Sequence, residues 1–265
     1  MGVIVASLTA AVALAASPVT FVQAQQAADG GFAEAGGQAD ASLTAWAVLG
    51  LRSAGADAPG ALAYLQEREG ELRSTTDVAL AALAEQSLGD PADELRARLQ
   101  RETRSSGQIG TTLNSTYWAV LALGRASPAT VRFILRYQAR SGGFAWGVGQ
   151  QPDSNDTAAA LQALRVARVR GKPIDSAVRF LLSFQNRDGG FELSHGRGSD
   201  AQSTAWAIQG LVAAGRTPSR AAFAYLALLR RPDGSYRYST RYATTPVWVT
   251  SQVLAALARK PFPLN

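Results

Sequence analysis

The strongest constraint on this chain is a phrase that it repeats. Gln26-Ala-Ala-Asp-Gly-Gly-Phe32 leads, after a polar loop, to Leu43-Thr-Ala-Trp-Ala-Val-Leu-Gly-Leu51. Gln185-Asn-Arg-Asp-Gly-Gly-Phe191 leads in the same way to Ser203-Thr-Ala-Trp-Ala-Ile-Gln-Gly-Leu211, and a third copy runs from Gln138 to Leu164. Glycine ends helices because it tolerates positive φ, so each copy reads as one helix ending, a turn, and a second helix beginning.

A threonine with a leucine seven residues later marks six such segments. They are Thr44/Leu51, Thr76/Leu83, Thr116/Leu123, Thr157/Leu164, Thr204/Leu211 and Thr250/Leu257, roughly 32 to 47 residues apart. Three residues after the threonines stand Ala47, Ala79, Ala119, Ala160, Ala207 and Val253. Offsets of zero, three, four and seven share one helical face, so each segment is a helix with a narrow small-and-aliphatic stripe. A glycine precedes each segment (Gly30, Gly70, Gly107, Gly142, Gly189, Gly234), and before it a second helix opens near a proline (Pro18, Pro59, Pro91, Pro128, Pro173, Pro218). The chain is therefore expected to be all-α, with about twelve helices in six hairpins. An open superhelix would need polar capping repeats. A closed α/α toroid, with inner and outer rings of six helices, would not, and the sixfold count and Ala-rich inner stripe favour it.

Apolar residues make up 47% and charged residues 17% of 265, the composition of a globular domain with a core. The net charge of +6 comes from scattered arginines and not from a basic arm, which argues against nucleic-acid binding. Cysteine is absent, so disulfides and thiolate chemistry are excluded. Residues 1–16 are almost wholly small or apolar and end in Leu14-Ala-Ala16, as a signal peptide does, although no Lys or Arg precedes Arg52. That run is shorter than a membrane-spanning helix requires. The expectation is a signal peptide over 1–16, a toroid over 17–265, and secretion or a cell-envelope or periplasmic location in a bacterium, with no integral membrane segment after processing.

The Gln-x-x-Asp-Gly-Gly-Phe turns at Gln26–Phe32 and Gln185–Phe191 resemble the QW-type repeats of squalene and oxidosqualene cyclases. They also resemble the glycine-rich turns of protein prenyltransferase β-subunits. In degraded form the resemblance extends over residues 17–265, and it implies the α/α toroid. It implies an activity far less specifically, since the superfamily also holds vitamin-carrier and thioester-containing domains.

Asp153-Ser-Asn-Asp-Thr157, opening the fourth inner helix, is similar to the Asp-x-Asp-Asp-Thr motif of class II terpene cyclases. In that family the middle aspartic acid protonates an alkene or epoxide, which needs a neutral, strongly acidic carboxyl. Asn155 stands in that place and cannot act as an acid, which leaves Asp153 and Asp156 as catalytic candidates. Asp153 shares its register with Asp40 and Asp200, the pattern of a helix cap. Asp156 is the only carboxylate in a register whose other members read Leu43, Thr75, Ser115, Ser203 and Val249. The prenyltransferase resemblance would imply zinc held by Asp, Cys and His. With no cysteine and a single histidine, His195, neither a metal site nor a cofactor is expected.

Two residues before the register threonines stand Ser42, Ser74, Asn114, Asn155, Gln202 and Trp248. They are caps, or a neutral hydrogen-bonding collar at a mouth where six helix N-termini point inward. Trp46, Trp118 and Trp206 share one register and are expected to wedge between neighbouring helices, while Phe32, Phe144 and Phe191 pin the turns. Trp146, Tyr236, Tyr238, Tyr242 and Trp248 fall in or beside the longer loops, where an aromatic mouth suits an apolar or isoprenoid ligand. Arg197, Arg237 and Arg241 could meet an anionic head group. With Asn155, Asn114 and Gln202 these residues form the expected ligand site. The resulting reading is an exported, non-catalytic toroid holding an apolar or isoprenoid-type molecule in or at its mouth. Its alternatives are a divergent class II cyclase with Asp156 as acid, and a cell-surface scaffold that holds a protein partner on the loop face.

Overall fold

The computed structural model describes residues 16–264, so the expected signal peptide over 1–16 lies outside them apart from Ala16. The described residues form twelve α-helices: α1 (Pro18–Gln23), α2 (Ala41–Ser53), α3 (Ala61–Glu67), α4 (Thr75–Ser87), α5 (Asp93–Arg101), α6 (Leu113–Leu123), α7 (Pro128–Arg136), α8 (Ser154–Val166), α9 (Lys172–Leu182), α10 (Ala201–Ala213), α11 (Arg220–Leu229) and α12 (Pro246–Leu257). Each even-numbered helix packs on the next, and α12 packs back on α2, so the inner ring is closed. The odd-numbered helices lie outside. Thus α1 bridges α12 and α2, α3 bridges α2 and α4, and α5 bridges α4 and α6. This is an α/α toroid of six hairpins.

The repeated turn is the joint between units. Gly30, Gly107, Gly142, Gly189 and Gly234 have φ between +88° and +98°. A Cβ on any of them would stand 2.3 to 2.5 Å from backbone at the start of the next outer helix, at Gly60, Ala129, Ser176, Ala221 and, across the seam, Ser17. Only glycine satisfies both demands. The motif glutamine completes the joint. Gln138 Nε2 donates to Gly142 O and to Pro173 O, both at 2.8 Å. Gln26 does the same to Gly30 O and Pro59 O, and Gln185 to Gly189 O and Ser219 Oγ. The aromatic that ends the motif is buried, and its N–H donates to the register threonine: Phe32 to Thr44, Phe144 to Thr157, Phe191 to Thr204 and Tyr236 to Thr250, each at 2.9 Å.

The second unit departs from the expected register. Gly70 lies inside a short 3-10 turn, Glu69–Glu71, where a Cβ would meet nothing. The caps of α2, α6, α8 and α10 are Asp40, Thr112, Asp153 and Asp200, each four residues before the register threonine. In α4 the cap is Ser74, so Val78 and not Thr76 holds the register, and Val78 is the buried residue. Thr76 therefore takes the collar place expected for Ser74. Asp77 joins the register of Asp156, which is not unique there. Glu85 falls where the other units carry leucine. Thr matched Val at one buried position and shifted the sequence alignment by two residues.

The seam between residues far apart in sequence carries its own devices. Gly50 of α2 lies against Ser251 of α12, whose carbonyl oxygen a Cβ would approach to 2.4 Å. Helix α12 begins at Pro246 after Thr245 in left-handed backbone, and no side chain of its own caps it. The Glu34 carboxylate does so instead, accepting from Val247 N at 3.0 Å and Trp248 N at 2.9 Å. In three other units the loop residue two beyond the turn aromatic supplies a carbonyl for the same purpose. Trp146 O accepts from Asn114 N, Leu193 O from Ser154 N and Tyr238 O from Ala201 N. Glu34→Ala should cost about 1–2 kcal/mol in chemical denaturation, the worth of a charged N-terminal cap. An unchanged denaturation midpoint would count against this role.

Candidate functional site

The inner-helix N-termini and the long loops surround one mouth, and the axis beneath it is filled. Trp46, Trp118 and Trp206 come from alternate helices and meet across the ring, with centroids 5.4, 5.8 and 5.3 Å apart. They do not wedge between neighbouring helices as their shared register suggested. The equivalent positions on the three intervening inner helices are Leu80, Ala159 and Gln252. Trp206 Nε1 donates to Gln252 Oε1 at 2.6 Å, so the buried indole N–H is satisfied. The C-terminal tail adds a fourth ring: Phe262 lies 6.3 Å from Trp46 and 6.2 Å from Trp118. Buried Gln162 and Gln209 and exposed Arg165 fasten that tail. Gln162 Oε1 accepts from Phe262 N at 2.8 Å, Arg165 donates to Phe262 O at 2.9 Å, and Gln209 Nε2 donates to Lys260 O at 3.3 Å.

At the mouth, Asp153 caps α8, its Oδ1 accepting from Asp156 N at 2.8 Å. Asp156 is 6% exposed, and its Oδ1 accepts from Asn114 Nδ2 at 2.7 Å. Thr76 Oγ1 in turn lies 3.3 Å from Asn114 Oδ1, so the collar is linked from α4 to α8. Burial, reinforced by the Asp153 carboxylate, pushes Asp156 up to about 8, although the Asn114 bond opposes the shift. Asp153 is raised in the same direction, chiefly by burial. Asn155, at the motif's central place, is half-buried and accepts from Ser154 Oγ. In α6, α8 and α10 one first-turn amide donates to a loop carbonyl and another to the helix's own cap, and in α12 two donate to Glu34.

The expected ligand residues separate. A cleft of about 530 Å³ over the α10 N-terminus gathers Arg197, Tyr238, Arg241 and Tyr242 with Asp188, Asp200 and Ser199. Its acids are occupied. Asp200 caps α10 through Ser203, and Asp188 accepts from Gly190 N and Ser199 Oγ. Tyr242 is 60% exposed. Neither Trp146, 50% exposed, nor the half-buried Gln202 and Trp248 line this cleft, although all lie at the same rim. Tyr236 is core, equivalent to Phe32, and Arg237 is half-buried beside it. Among the described residues no group of three or more His, Asp or Glu is placed to hold a metal ion, and no helix is long and apolar enough to cross a membrane. Sequence reasoning missed Glu34, Gln252 and Phe262. Glu34 could have been found by its place two residues after Phe32, but nothing in the sequence marks Phe262.

A closed six-hairpin ring with glycine-aromatic joints defines the class: an α/α toroid of the prenyltransferase type. The family model for the prenyltransferase alpha-alpha toroid domain matches residues 112–219 and 168–246, together half of the chain, and the chain belongs to that family. No curated protein sequence matches it. Among solved structures, a protein from Actinoplanes is 18% identical with a TM-score of 0.70, covering 91% of this chain and 97% of that one. A type II terpene cyclase from Scytonema, in complex with its substrate geranylgeranyl dihydroxybenzoate, is 18% identical with a TM-score of 0.68 over 91% and 95%. Candida albicans protein geranylgeranyltransferase-I, complexed with GGPP, is 14% identical with a TM-score of 0.60 over 82% and 83%. At these identities the likeness is one of fold.

Proposed function

We propose that this chain is a non-catalytic binding toroid that takes an isoprenoid or similar apolar molecule with an anionic head at its mouth, not within the ring. The observation that carries this reading is the axis filled by Trp46, Trp118, Trp206 and Phe262, which leaves the rim and its cleft as the accessible aromatic surface. Asn155 in the place of the class II acid supports it, as does the pairing of exposed Tyr242 with Arg197 and Arg241. The proposal includes export, so that the ligand is met outside the cytosol. Fluorescence titration with farnesyl and geranylgeranyl phosphates should saturate, and Arg241→Gln/Tyr242→Ala should weaken binding about tenfold. Flat titrations across chain lengths would sink the reading.

One observation bears on catalysis: Asp156, pushed up to about 8, keeps its proton at neutral pH, although a carboxyl so raised is a weaker acid than alkene protonation calls for. Turnover of a polyprenyl substrate that Asp156→Asn abolishes would establish that reading. The expected result is that neither protein turns substrate over.

A further inference from the structure

The opposite end of the toroid, where the inner helices finish, carries a cavity of about 530 Å³ lined by Gln86, Arg96, Gly124, Arg165 and Arg168 and by Pro263 of the tail, with no carboxylate among its lining residues. Three guanidiniums converge there from two helices and a turn. Arg96 lies in the first turn of α5, where the helix dipole disfavours a cation. Its nearest acid is Asp93, a loose pair at 3.7 Å, and its buried Nε has no hydrogen-bond partner among the described residues. Arg165 makes one bond, to Phe262 O. Arg168 follows α8 in left-handed backbone, is exposed, and its guanidinium makes no hydrogen bond or ion pair among the described residues. A cation at the end of α8 complements that helix's dipole, which accounts for one arginine there. It does not account for Arg96, or for three arginines lining one hollow. An adjoining cavity of about 430 Å³ shares Arg165 and Arg168 and adds Arg170, while its Arg216 is paired with Asp175 at 2.7 Å.

We propose that this cavity is an anion site for a phosphate-class ligand carrying two or more charges, independent of the mouth. Guanidinium forks match phosphate oxygens bidentately, and the volume lies within the range of ligand pockets. Because Pro263 lines the cavity and Arg165 holds Phe262, an occupant would touch the tail that fills the axis.

Calorimetric titration with inorganic pyrophosphate is the test. Wild-type protein should bind saturably. Arg168→Asn, which suits the left-handed backbone, should weaken binding about tenfold, and Arg96→Gln/Arg168→Asn should weaken it further. Arg132→Gln, an exposed position on the outer helix α7 that lines neither cavity, should leave it unchanged. Vesicles of phosphatidylcholine with phosphatidylglycerol distinguish the source of the phosphate. Cosedimentation that pyrophosphate reverses assigns a lipid head group, and pyrophosphate binding without cosedimentation assigns a soluble anion. Binding of neither probe, or binding that Arg168→Asn leaves at full strength, overturns the proposal. Arg168 is exposed, so that variant does not depend on the double variant folding.

Discussion

Glu85→Leu should stabilise the toroid by on the order of 3 kcal/mol at pH 9, with a gain that shrinks as the pH falls toward 4. Glu85 is fully buried on α4, and neither carboxylate oxygen has a partner among the described residues. The same register holds Leu51, Leu123, Leu164, Leu211 and Leu257 in the other units. Burial first, then the neighbouring Glu69 and Asp90 carboxylates, push Glu85 from the usual 4.5 up to about 8. Below 4.5 the folded and unfolded chains both hold the proton. Between 4.5 and 8 only the folded chain holds it, so stability falls as the pH rises and then levels off. Leucine removes that slope, and it also removes a buried polar group without a partner, so some gain persists at low pH. Urea unfolding of both proteins at pH 5, 7 and 9 checks this. A difference that does not grow with pH would contradict it.

Trp118→Ala should have a comparably large effect of opposite sign, a loss of about 3–5 kcal/mol. Trp118 touches the other three rings on the axis, and its edge-on contacts with Trp46 and Trp206 add to the apolar area that it buries. The six inner helices are held apart by their own ring closure, so the space left behind should not collapse fully. A dry, aromatic-walled cavity of that kind binds small apolar molecules. Denaturant unfolding with and without benzene tests both halves. A loss below about 1 kcal/mol, with no benzene-induced recovery, would mean that the indole is not packed as described.

The ring was legible because its joints are local. Gln, Gly and Phe each do a task set within one repeat, against the next outer helix about thirty residues on or the register threonine 12 to 14 residues on. That task recurs from joint to joint, so the hairpins, caps and outer helices could be read from spacing. Closure was legible only as a preference, since the Glu34 cap on α12 and the contact of Gly50 with Ser251 join residues about two hundred apart. The second unit misled because Thr76 imitates the register threonine two residues early, and that hid Glu85. The tryptophans were correctly placed in one register but assigned to the wrong neighbours. Period alone does not say whether a side chain reaches the next helix or the far side of a ring. Phe262 follows the last repeat and carries no periodic signal.

Whether ligands enter the ring or stay at its rim is decided most directly by aromatic NOEs recorded while an isoprenoid phosphate is titrated to saturation. If binding is at the mouth, the Phe262–Trp46 and Phe262–Trp118 NOEs persist unchanged at saturation, and shift changes centre on Tyr238, Tyr242 and the rim. Loss of those NOEs, with new ones from the isoprenoid to the three indoles, would contradict it.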